Sequence, residues 1–289
     1  MKLRAVVPAT VANLGPGFDC FAMALDLVNE ISLDTGARPR VAIEGEGAGE
    51  LPADGSNLIV GSMERLAREA GVGLPSFALA CVNRIPLERG LGSSAAAVVG
   101  GLALADRLLR TSFDANRLLE LAVDVEGHPD NAAAALLGGL VFAYRSEDGW
   151  RAEGVEPSPS LRPAVLIPER ERLATSEARR ALPERVPLSD AAFNAGRAAL
   201  AVLALTGRPD LLPEALQDRL HQPARLPLVP EAHRVFRDLR DRGVPVCVAG
   251  AGPSLLAFES DGLAVPDLGP DWRILRVLPR ARGIEVDEL

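Results

Sequence analysis

The chain has 289 residues, of which 48% are apolar, so it can bury the core of one large domain or of two modest ones. Its net charge of −8 argues against a nucleic-acid partner held by a general basic surface. Cys20, Cys81 and Cys247 lie far apart, which suits neither a disulfide framework nor a cysteine metal site and makes a reducing compartment the expectation.

One residue type excludes several classes of enzyme. Lys2 is the only lysine in the chain, and it follows directly on the first methionine. Schiff-base catalysis, the Walker A phosphate loop and the protein-kinase fold each require a lysine inside the site. None of these three classes fits the chain.

Strand and helix patterns follow one another irregularly through the first half of the chain. Ser56 and Asp114 each precede an apolar periodic run and are predicted as helix N-caps, with Gly71 as a helix stop. The predicted elements of this half are strands at 3–8, 21–33, 40–44, 77–85 and 139–144, and helices at 57–71, 93–110, 114–126 and 131–137.

A proline-rich stretch at 156–163 is the best candidate for a linker and predicts two domains, at 1–156 and 157–289. The lack of regular strand–helix alternation predicts an α+β fold rather than a doubly wound sheet. The predicted elements of the second half are strands at 164–168, 244–249, 254–259, 273–278 and 284–287, and helices at 175–181, 189–206, 210–220 and 230–242.

No signal peptide or membrane span is predicted. Pro8 interrupts the apolar N-terminal stretch, and the uncharged stretch at 90–105 is too short to cross a bilayer. We therefore expect a soluble, cytoplasmic protein.

The strongest local signal is the segment PLERGLGSSAAA at 86–97, which follows a predicted strand and opens an apolar helix. Gly90 and Gly92 let backbone N–H groups converge on an anion, and the first helical turn adds unpaired N–H groups and a positive dipole end. Ser93 and Ser94 add hydroxyls for a phosphate or a bound Mg²⁺. The segment predicts a phosphate-binding loop that needs no lysine.

Two other interpretations of this segment stay open on sequence alone. A turn that merely caps a buried helix has the same glycines and serines. A dinucleotide-binding fingerprint requires a third glycine where this chain has Ala95, so it fits less well.

Three segments together resemble the motifs of the GHMP kinase superfamily. They are PATVANLGPGFD at 8–19, the glycine-rich segment, and VAGAGPS at 248–254. Within the superfamily, the first motif resembles the homoserine kinases, as do EGHPDN at 126–131, TSEARRALP at 175–183 and HQPAR at 221–225.

The resemblance implies a two-domain GHMP kinase fold, with an N-terminal ribosomal protein S5 domain 2-like half and a C-terminal ferredoxin-like α/β-plait. It implies transfer of a phosphoryl group from ATP to the side-chain hydroxyl of L-homoserine, a step of threonine synthesis, with Mg²⁺ as cofactor. No nucleic-acid or membrane partner is expected, and a homodimer is compatible with it. The tail after Ser260 departs from the pattern, since it is rich in proline and glycine where a longer helix is expected.

The resemblance also implies positions for the nucleotide and the metal. Glu126 would hold Mg²⁺ together with Ser93 or Ser94, and Asn57 would lie near the adenine. Arg89 stands where many members carry lysine, a change expected to matter little because the backbone binds the phosphates. The nucleotide would contact Pro86, Leu87, Glu88, Arg89, Gly90, Leu91, Gly92, Ser93, Ser94, Ala95 and Ala96.

The implied amino-acid substrate is a zwitterion, whose two charges need opposite partners. The matching residues are Arg179 and Arg225 for the carboxylate, Asp19 for the ammonium group, His128 for the substrate backbone, and Asn13 and Asn131 for the reacting hydroxyl. Of these, Asn13, Asn131 and Arg179 are predicted to take part in the reaction itself.

Asp130 has two interpretations. It could be a general base, as in mevalonate kinase-like relatives, or the N-cap of the short helix that follows it. We favour the cap, because the resemblance implies a reaction without a dedicated base, driven by proximity and charge stabilisation. His221 and His233 are interpreted as structural or exposed.

Three alternatives to this function have discriminating observations. The first is another GHMP kinase, acting on an isoprenoid or a sugar; an uncharged sugar would not need the charged residues Asp19, Arg179 and Arg225, whereas an amino acid would. A silent nucleotide-binding protein would bind Mg·ATP without turnover. A dinucleotide-dependent oxidoreductase would prefer NAD(P) to ATP.

Overall fold

The computed structural model describes residues 1–289 and builds them into two β-sheets with helices packed around them. The strands are β1 (Lys2–Ala12), β2 (Phe21–Asp34), β3 (Arg40–Gly45), β4 (Ala78–Asn83), β5 (Leu140–Ser146), β6 (Gly149–Val155), β7 (Pro163–Pro168), β8 (Val246–Val248), β9 (Leu255–Phe258), β10 (Trp272–Arg276) and β11 (Glu285–Glu288). The helices are α1 (Leu58–Glu69), α2 (Ser93–Leu109), α3 (Ala115–Glu126), α4 (Asp130–Leu137), α5 (Thr175–Arg180), α6 (Leu188–Thr206), α7 (Leu212–Ala215), α8 (Gln222–Arg225) and α9 (Pro230–Asp241).

The first sheet has seven strands in the order β11-β1-β2-β4-β3, with β5 paired to β2 and β6 paired to β5. Only β3 and β4 run parallel. In β1, alternate residues from Leu3 to Val7 point into the core, as the period of a half-buried strand requires. The β2 strand is long enough to pair with β1, β4 and β5.

Helices α1 to α4 cover this sheet, and α2 is the central one. Its small residues allow close approach: a Cβ built on Gly101 would lie 2.5 Å from the Ile59 carbonyl oxygen of α1. The residues of α2 from Ala95 to Ala105 are almost all buried. This packing fixes the N-terminus of α2 at the edge of the cleft between the two sheets.

The second sheet has four antiparallel strands in the order β10-β7-β9-β8, which is the strand order of a ferredoxin-like plait. Its separate core of 18 buried residues includes the inner face of α9. No helix joins β9 to β10, so the proline- and glycine-rich tail departs from the pattern as the sequence indicated. The structure is the α+β fold predicted from the sequence.

The two halves of the chain are interleaved. The last strand, β11, returns to pair with β1, and α6 contributes Ala201, Ala204 and Leu205 to the core of the first sheet. Within the predicted linker, the Ser158 N–H donates to the Leu205 carbonyl over 2.8 Å. The division between residues 156 and 157 stays a prediction.

One predicted helix, one missed strand and one predicted helix cap differ from the structure. The helix predicted at 210–220 is wrong: Pro209–Leu211 is a 3₁₀ turn, α7 is one turn long, and α8 begins only at Gln222. The sequence analysis missed β6, because an edge strand that is half exposed carries polar residues and two glycines instead of an apolar alternation. The cap of α1 is Asn57, not Ser56, since Asn57 Oδ1 accepts the Ile59 N–H over 3.0 Å.

Helix α6 is long and apolar enough, by length and composition, to cross a membrane. The sequence analysis did not single it out. Its most exposed apolar residues are Leu188 and Leu203, while Arg197 forms an ion pair with Glu214 at 2.9 Å. The absence of a membrane partner stays a prediction.

Loops from the two halves of the chain approach each other backbone to backbone beside the glycine-rich segment. Gly90, in the loop before α2, lies so close to the loop after β8 that a Cβ on it would be 2.0 Å from the Ala249 carbonyl oxygen. A Cβ on Gly250 would in turn lie 2.7 Å from the Gly90 carbonyl oxygen. Both glycines have positive φ, at +69° and +57°.

Gly90→Ala should lower the free energy of unfolding by about 2 kcal/mol or more, because the methyl group has no room and the backbone conformation is strained. Gly61→Ala is the matched control. Gly61 lies inside α1 with no neighbour near a built Cβ, so this change should raise the free energy by about 0.5–1 kcal/mol. Urea unfolding measures both, and effects of the same sign would contradict the contact.

Candidate active site

Two cavities adjoin at the glycine-rich loop, and only the polar one lies between the two halves of the chain. One is polar, about 260 Å³, and is lined by residues of both halves of the chain. The other is more apolar, about 360 Å³, and lies between α1, β4 and the start of α2. Glu88, Ser93 and Ser94 line both cavities, so one elongated ligand could extend from one into the other.

The glycine-rich loop runs along the junction of the cavities. Gly92 precedes α2 in a left-handed conformation and provides no side-chain cap. The first N–H of α2 with a helical partner is that of Ala96, which donates to the Gly92 carbonyl over 2.9 Å. The preceding N–H groups therefore point out of the helix at its positive end, an arrangement that binds anions.

The loop residues divide between the two cavities. Those that line the polar cavity are Pro86, Glu88, Arg89, Gly90, Leu91, Gly92, Ser93, Ser94 and Ala95. Leu87 and Ala96 line the apolar cavity instead.

Arg89 lines the polar cavity and bonds to backbone carbonyls at the end of β7, while its Nη1 is buried without a hydrogen-bond partner. Its Nε donates to the Pro168 carbonyl over 3.1 Å and its Nη2 to the Glu169 carbonyl over 3.0 Å. Burial, together with the charge of Arg172, lowers the pKa of this guanidinium. Arg89 therefore connects the loop to the end of β7, and the expectation that the backbone binds the phosphates stays a prediction.

Asn57 lines the apolar cavity, but its amide is engaged at both ends. Besides capping α1 through Oδ1, it donates from Nδ2 to the Pro52 carbonyl over 2.7 Å. Its place beside the adenine stays a prediction. Through these two hydrogen bonds Asn57 joins the start of α1 to Pro52 in the wall of the apolar cavity.

Ser94 and Glu126 form an oxygen pair at the mouth of the polar cavity. The Ser94 hydroxyl donates to Glu126 Oε1 over 2.5 Å, and Ser93 lies beside it on the cavity wall. The structure contains no cluster of three or more histidine, cysteine or carboxylate side chains suited to a metal. Such a sparse oxygen set fits Mg²⁺, which keeps several waters and takes other ligands from bound phosphates.

The loop after β1 brings Asn13 and Asp19 to the cavity. Both have positive φ, at 64° and 53°. Asn13 Nδ2 donates to the Gly250 carbonyl over 3.0 Å, and its Oδ1 accepts the Asp19 N–H over 2.9 Å. Asn13 thus joins this loop to the loop after β8, and it retains one N–H and one lone pair for a ligand.

Asp19 and Arg179 form a bidentate ion pair across the cavity. The two N–O distances are 2.7 and 3.0 Å, and each side chain is about one-third exposed. The sequence analysis placed these residues on opposite charges of one substrate; without a ligand they pair with each other. A bound zwitterion would replace each partner with a charge of its own.

Arg225 lies deeper in the same cavity and is almost fully buried. Its Nη1 donates to the Gly250 carbonyl over 2.9 Å, and its Nε has no hydrogen-bond partner. Burial, with the charge of Arg179, lowers the pKa of Arg225 to about 10, so the group is still a cation at neutral pH. A buried cation with an unpaired N–H favours an anionic ligand.

Phe18 lies close to both arginines and was not singled out from the sequence. Its ring centroid is 5.8 Å from the Arg179 guanidinium and 5.2 Å from that of Arg225, within cation–π range. In the sequence, Phe18 is marked only by its place in the motif at 8–19, directly before Asp19. One aromatic ring therefore contacts both of the cations that line the polar cavity.

His221 confirms its interpretation as a structural histidine. It is fully buried, stacks on Phe18, and its Nε2 lies 2.7 Å from the Gly15 carbonyl oxygen. Burial lowers its pKa, and the adjacent Asp218 carboxylate opposes that shift. His221 joins the loop after β1 to the helix that carries Arg225.

His128, Asp130 and Asn131 meet where α3 ends and α4 begins, and all three line the polar cavity. His128 Nδ1 is buried without a hydrogen-bond partner and lies 3.9 Å from Asp130 Oδ1. Asn131 also contacts Thr10, a residue that the sequence analysis did not single out.

The interpretation of Asp130 as an N-cap is wrong. The cap position belongs to Pro129, and Asp130 is the first residue of α4, where its Oδ1 accepts the Asn131 N–H over 2.7 Å. Pro129 already has helical backbone angles, so Asp130 lies one residue inside the helix, where it is buried. Burial raises the pKa of the Asp130 carboxyl, while the charge of His128 acts in the opposite direction.

Comparisons with known proteins fit this geometry. Residues 57–139 match the family model of the GHMP kinases N terminal domain. A homoserine kinase of Mycolicibacterium vanbaalenii is 46% identical over 90% of this chain and 86% of its own length. One of Rhodococcus erythropolis is 44% identical over 100% and 93%. The crystal structure of homoserine kinase from Cytophaga hutchinsonii superposes with a TM-score of 0.82 at 26% identity, covering 99% of this chain and 97% of that one.

Asp130→Asn should raise the Tm at pH 7. A carboxyl whose pKa is raised on folding holds its proton more tightly in the native state, so its ionised form destabilises that state once the pH exceeds the folded pKa. The gain should vanish below about pH 4, where the unfolded carboxyl is protonated too.

Thermal unfolding at pH 4 and pH 7 measures this difference. Asp241→Asn, at the exposed end of α9, is the matched control and should show no such gain. A Tm of Asp130→Asn that is lower at pH 7 than that of the unchanged protein would contradict the account.

Proposed function

The chain belongs to the homoserine kinase family of the GHMP kinases, and on that premise we propose how its site transfers the γ-phosphoryl group of ATP to the side-chain hydroxyl of L-homoserine. The products are ADP and O-phospho-L-homoserine, an intermediate of threonine synthesis. The observation that carries the site assignment is the pair of opposite charges, Asp19 and Arg179, beside a loop built to bind phosphates.

ATP would occupy both cavities. The apolar cavity suits a base, since Ile31, Ile43 and Leu51 line it and it opens onto the glycine-rich loop. The triphosphate would then follow the free N–H groups at the start of α2. No lysine is required, because backbone donors and the helix dipole supply the positive potential.

Mg²⁺ would be held by Glu126 and Ser94, with Ser93 close by, alongside the phosphate oxygens. When bound, the cation would neutralise charge on the β- and γ-phosphates. Ser94 lines both cavities and Glu126 lines the polar one, so the pair would face phosphates that extend from a base in the apolar cavity to an acceptor in the polar cavity.

The amino acid would replace the ion pair between Asp19 and Arg179. Its ammonium group would pair with Asp19, and its carboxylate with Arg179 and Arg225, whose unpaired Nε then gains an acceptor. His128 would contact the substrate backbone. A ligand with only one of the two charges would leave a half-buried partner unpaired, which is costly.

The hydroxyl of homoserine would be placed by Asn13 and Asn131, with the phosphoryl group beside it. Phosphoryl transfer has a loose transition state and needs positioning and charge stabilisation more than a strong nucleophile. We therefore propose that no dedicated base acts.

Asp130 is the competing candidate for a general base. A kcat of Asp130→Asn that falls by less than about tenfold supports a reaction driven by positioning of the substrates, whereas a loss of about 100-fold or more would assign Asp130 the role of general base.

The same assignment supports a cytoplasmic site of action, where ATP and free amino acids are available. The three cysteines of the chain form no disulfide, as is usual in a reducing compartment. A homodimer stays a prediction.

A coupled ADP-release assay tests the proposed function. The panel contains homoserine, serine, threonine, mevalonate and galactose, together with two homoserine analogues that lack either the amino or the carboxyl group. ADP release should require both homoserine and Mg²⁺, and each one-charge analogue should lose about 100-fold or more in kcat/KM. Turnover of mevalonate or galactose in preference to homoserine would refute the assignment.

Arg179→Leu should raise the KM for homoserine by about 30-fold or more and leave the KM for ATP within about twofold, because it removes a partly buried partner of the substrate carboxylate. Arg180→Leu, at the exposed neighbouring position of α5, is the control and should change neither constant. Equal effects on both substrates would remove Arg179 from the amino-acid site.

Glu126→Gln should raise the Mg²⁺ concentration needed for half-maximal activity by about tenfold and lower kcat, since an amide is a weaker ligand for a hard cation than a carboxylate. Asp124→Asn changes a carboxylate of the same helix that pairs with Arg65 at the surface, and should leave the Mg²⁺ titration unchanged. Superimposable titrations of the two variants would contradict the metal assignment.

A further inference from the structure

Thr10 lies near the inner end of β1 and is fully buried. Its Oγ1 donates to Asn131 Oδ1 over 2.8 Å, and its backbone N–H donates to the Leu91 carbonyl over 3.1 Å. One residue therefore contacts both the amide proposed to face the reacting hydroxyl and the loop proposed to bind the phosphates.

Gly92 closes over this hydrogen bond. A Cβ built on Gly92 would lie 2.0 Å from Thr10 Oγ1 and 3.2 Å from Asn131 Oδ1. The loop backbone thus packs directly on the Thr10–Asn131 pair. The position of the Asn131 amide is set relative to the loop itself, within van der Waals contact.

Thr10 is fully buried, and Asn131 Oδ1 is the one acceptor of its hydroxyl, so the hydroxyl proton keeps a partner only when Oδ1, and not Nδ2, faces Thr10. A carboxamide has an acceptor end and a donor end. Thr10 occupies Oδ1, and Asn131 Nδ2 has no partner in the protein although the residue lines the polar cavity. Two N–H donors are therefore available to a ligand oxygen whose negative charge grows during the reaction. The reversed amide would offer an acceptor, which repels a phosphate.

We propose that Thr10 is a positioning residue that fixes the polarity of the Asn131 amide, so that Nδ2 meets the oxygens of the transferring phosphoryl group. This proposal rests on the proposed function, because it needs a phosphoryl group beside Asn131. Thr10 itself touches no reacting atom.

Thr10→Val removes the hydroxyl and keeps the branched shape that suits a strand. It should lower kcat by about 10- to 100-fold and leave the KM values for ATP and homoserine within about threefold. Thr10→Ser keeps the hydroxyl and should retain kcat within about threefold. Equal losses in the two variants, or a folded Thr10→Val protein with kcat within about twofold of the unchanged enzyme, would overturn the proposal.

A double-mutant cycle tests whether Thr10 acts through Asn131. Added to Asn131→Ala, the Thr10→Val change should have no further effect on kcat, because no amide is left to orient. Losses that multiply would show that Thr10 acts independently of Asn131 and would overturn the proposal.

Asn131→Asp tests the polarity of the amide without altering Thr10. It keeps an acceptor for the Thr10 hydroxyl and places a negative oxygen where Nδ2 was, so kcat should fall at least as far as in Asn131→Ala. An Asn131→Asp enzyme with nearly unchanged kcat would overturn the proposal even if Thr10→Val failed to fold. Failure of the unchanged enzyme to phosphorylate homoserine would instead refute the proposed function, so the two failures are distinguishable.

Discussion

Direct backbone contact between the loop at 86–92 and the loop at 248–252 is the constraint on which the site depends. Gly90 and Gly250 approach too closely for a side chain on either one, and Asn13 reaches across to the same Gly250 carbonyl. Arg89 adds a second connection, from the glycine-rich loop to the end of β7. A loop held this firmly can present N–H groups to a phosphate without paying for reorganisation when the ligand binds.

Around this contact, the polar cavity keeps its charges in balance before any ligand arrives. Arg179 is paired with Asp19, and both Arg179 and Arg225 lie within cation–π range of Phe18. Arg225 is the group with the least compensation, since burial lowers its pKa and its Nε lacks a partner. The polar cavity therefore combines an ion pair whose two partners could each meet one charge of a zwitterion with a cation that favours a carboxylate.

The sequence reveals the local parts of this arrangement better than the long-range ones. The glycine-rich loop was predictable because the backbone conformation that requires its glycines is set within a few residues, directly before α2. The Asp114 cap of α3 was confirmed for the same reason. The Asp19–Arg179 pair joins residues 160 positions apart, and only the resemblance brought them into one site.

Errors arose where tertiary packing outweighed local preference. Asp130 looks like an N-cap, but the preceding Pro129 takes that position and the carboxylate turns into the cavity. The prolines near 209–213 break a predicted helix into short turns. Thr10 carries no local signal, because its role depends on Asn131, which lies 121 residues away.

A crystal structure with Mg²⁺, a non-hydrolysable ATP analogue and homoserine tests the central claim most directly. The account predicts the base in the cavity beside α1, the β- and γ-phosphates on the N–H groups at the start of α2, and Arg179 turned from Asp19 to the homoserine carboxylate. A triphosphate bound away from residues 86–96, or an Asp19–Arg179 pair still intact with homoserine bound, would contradict it.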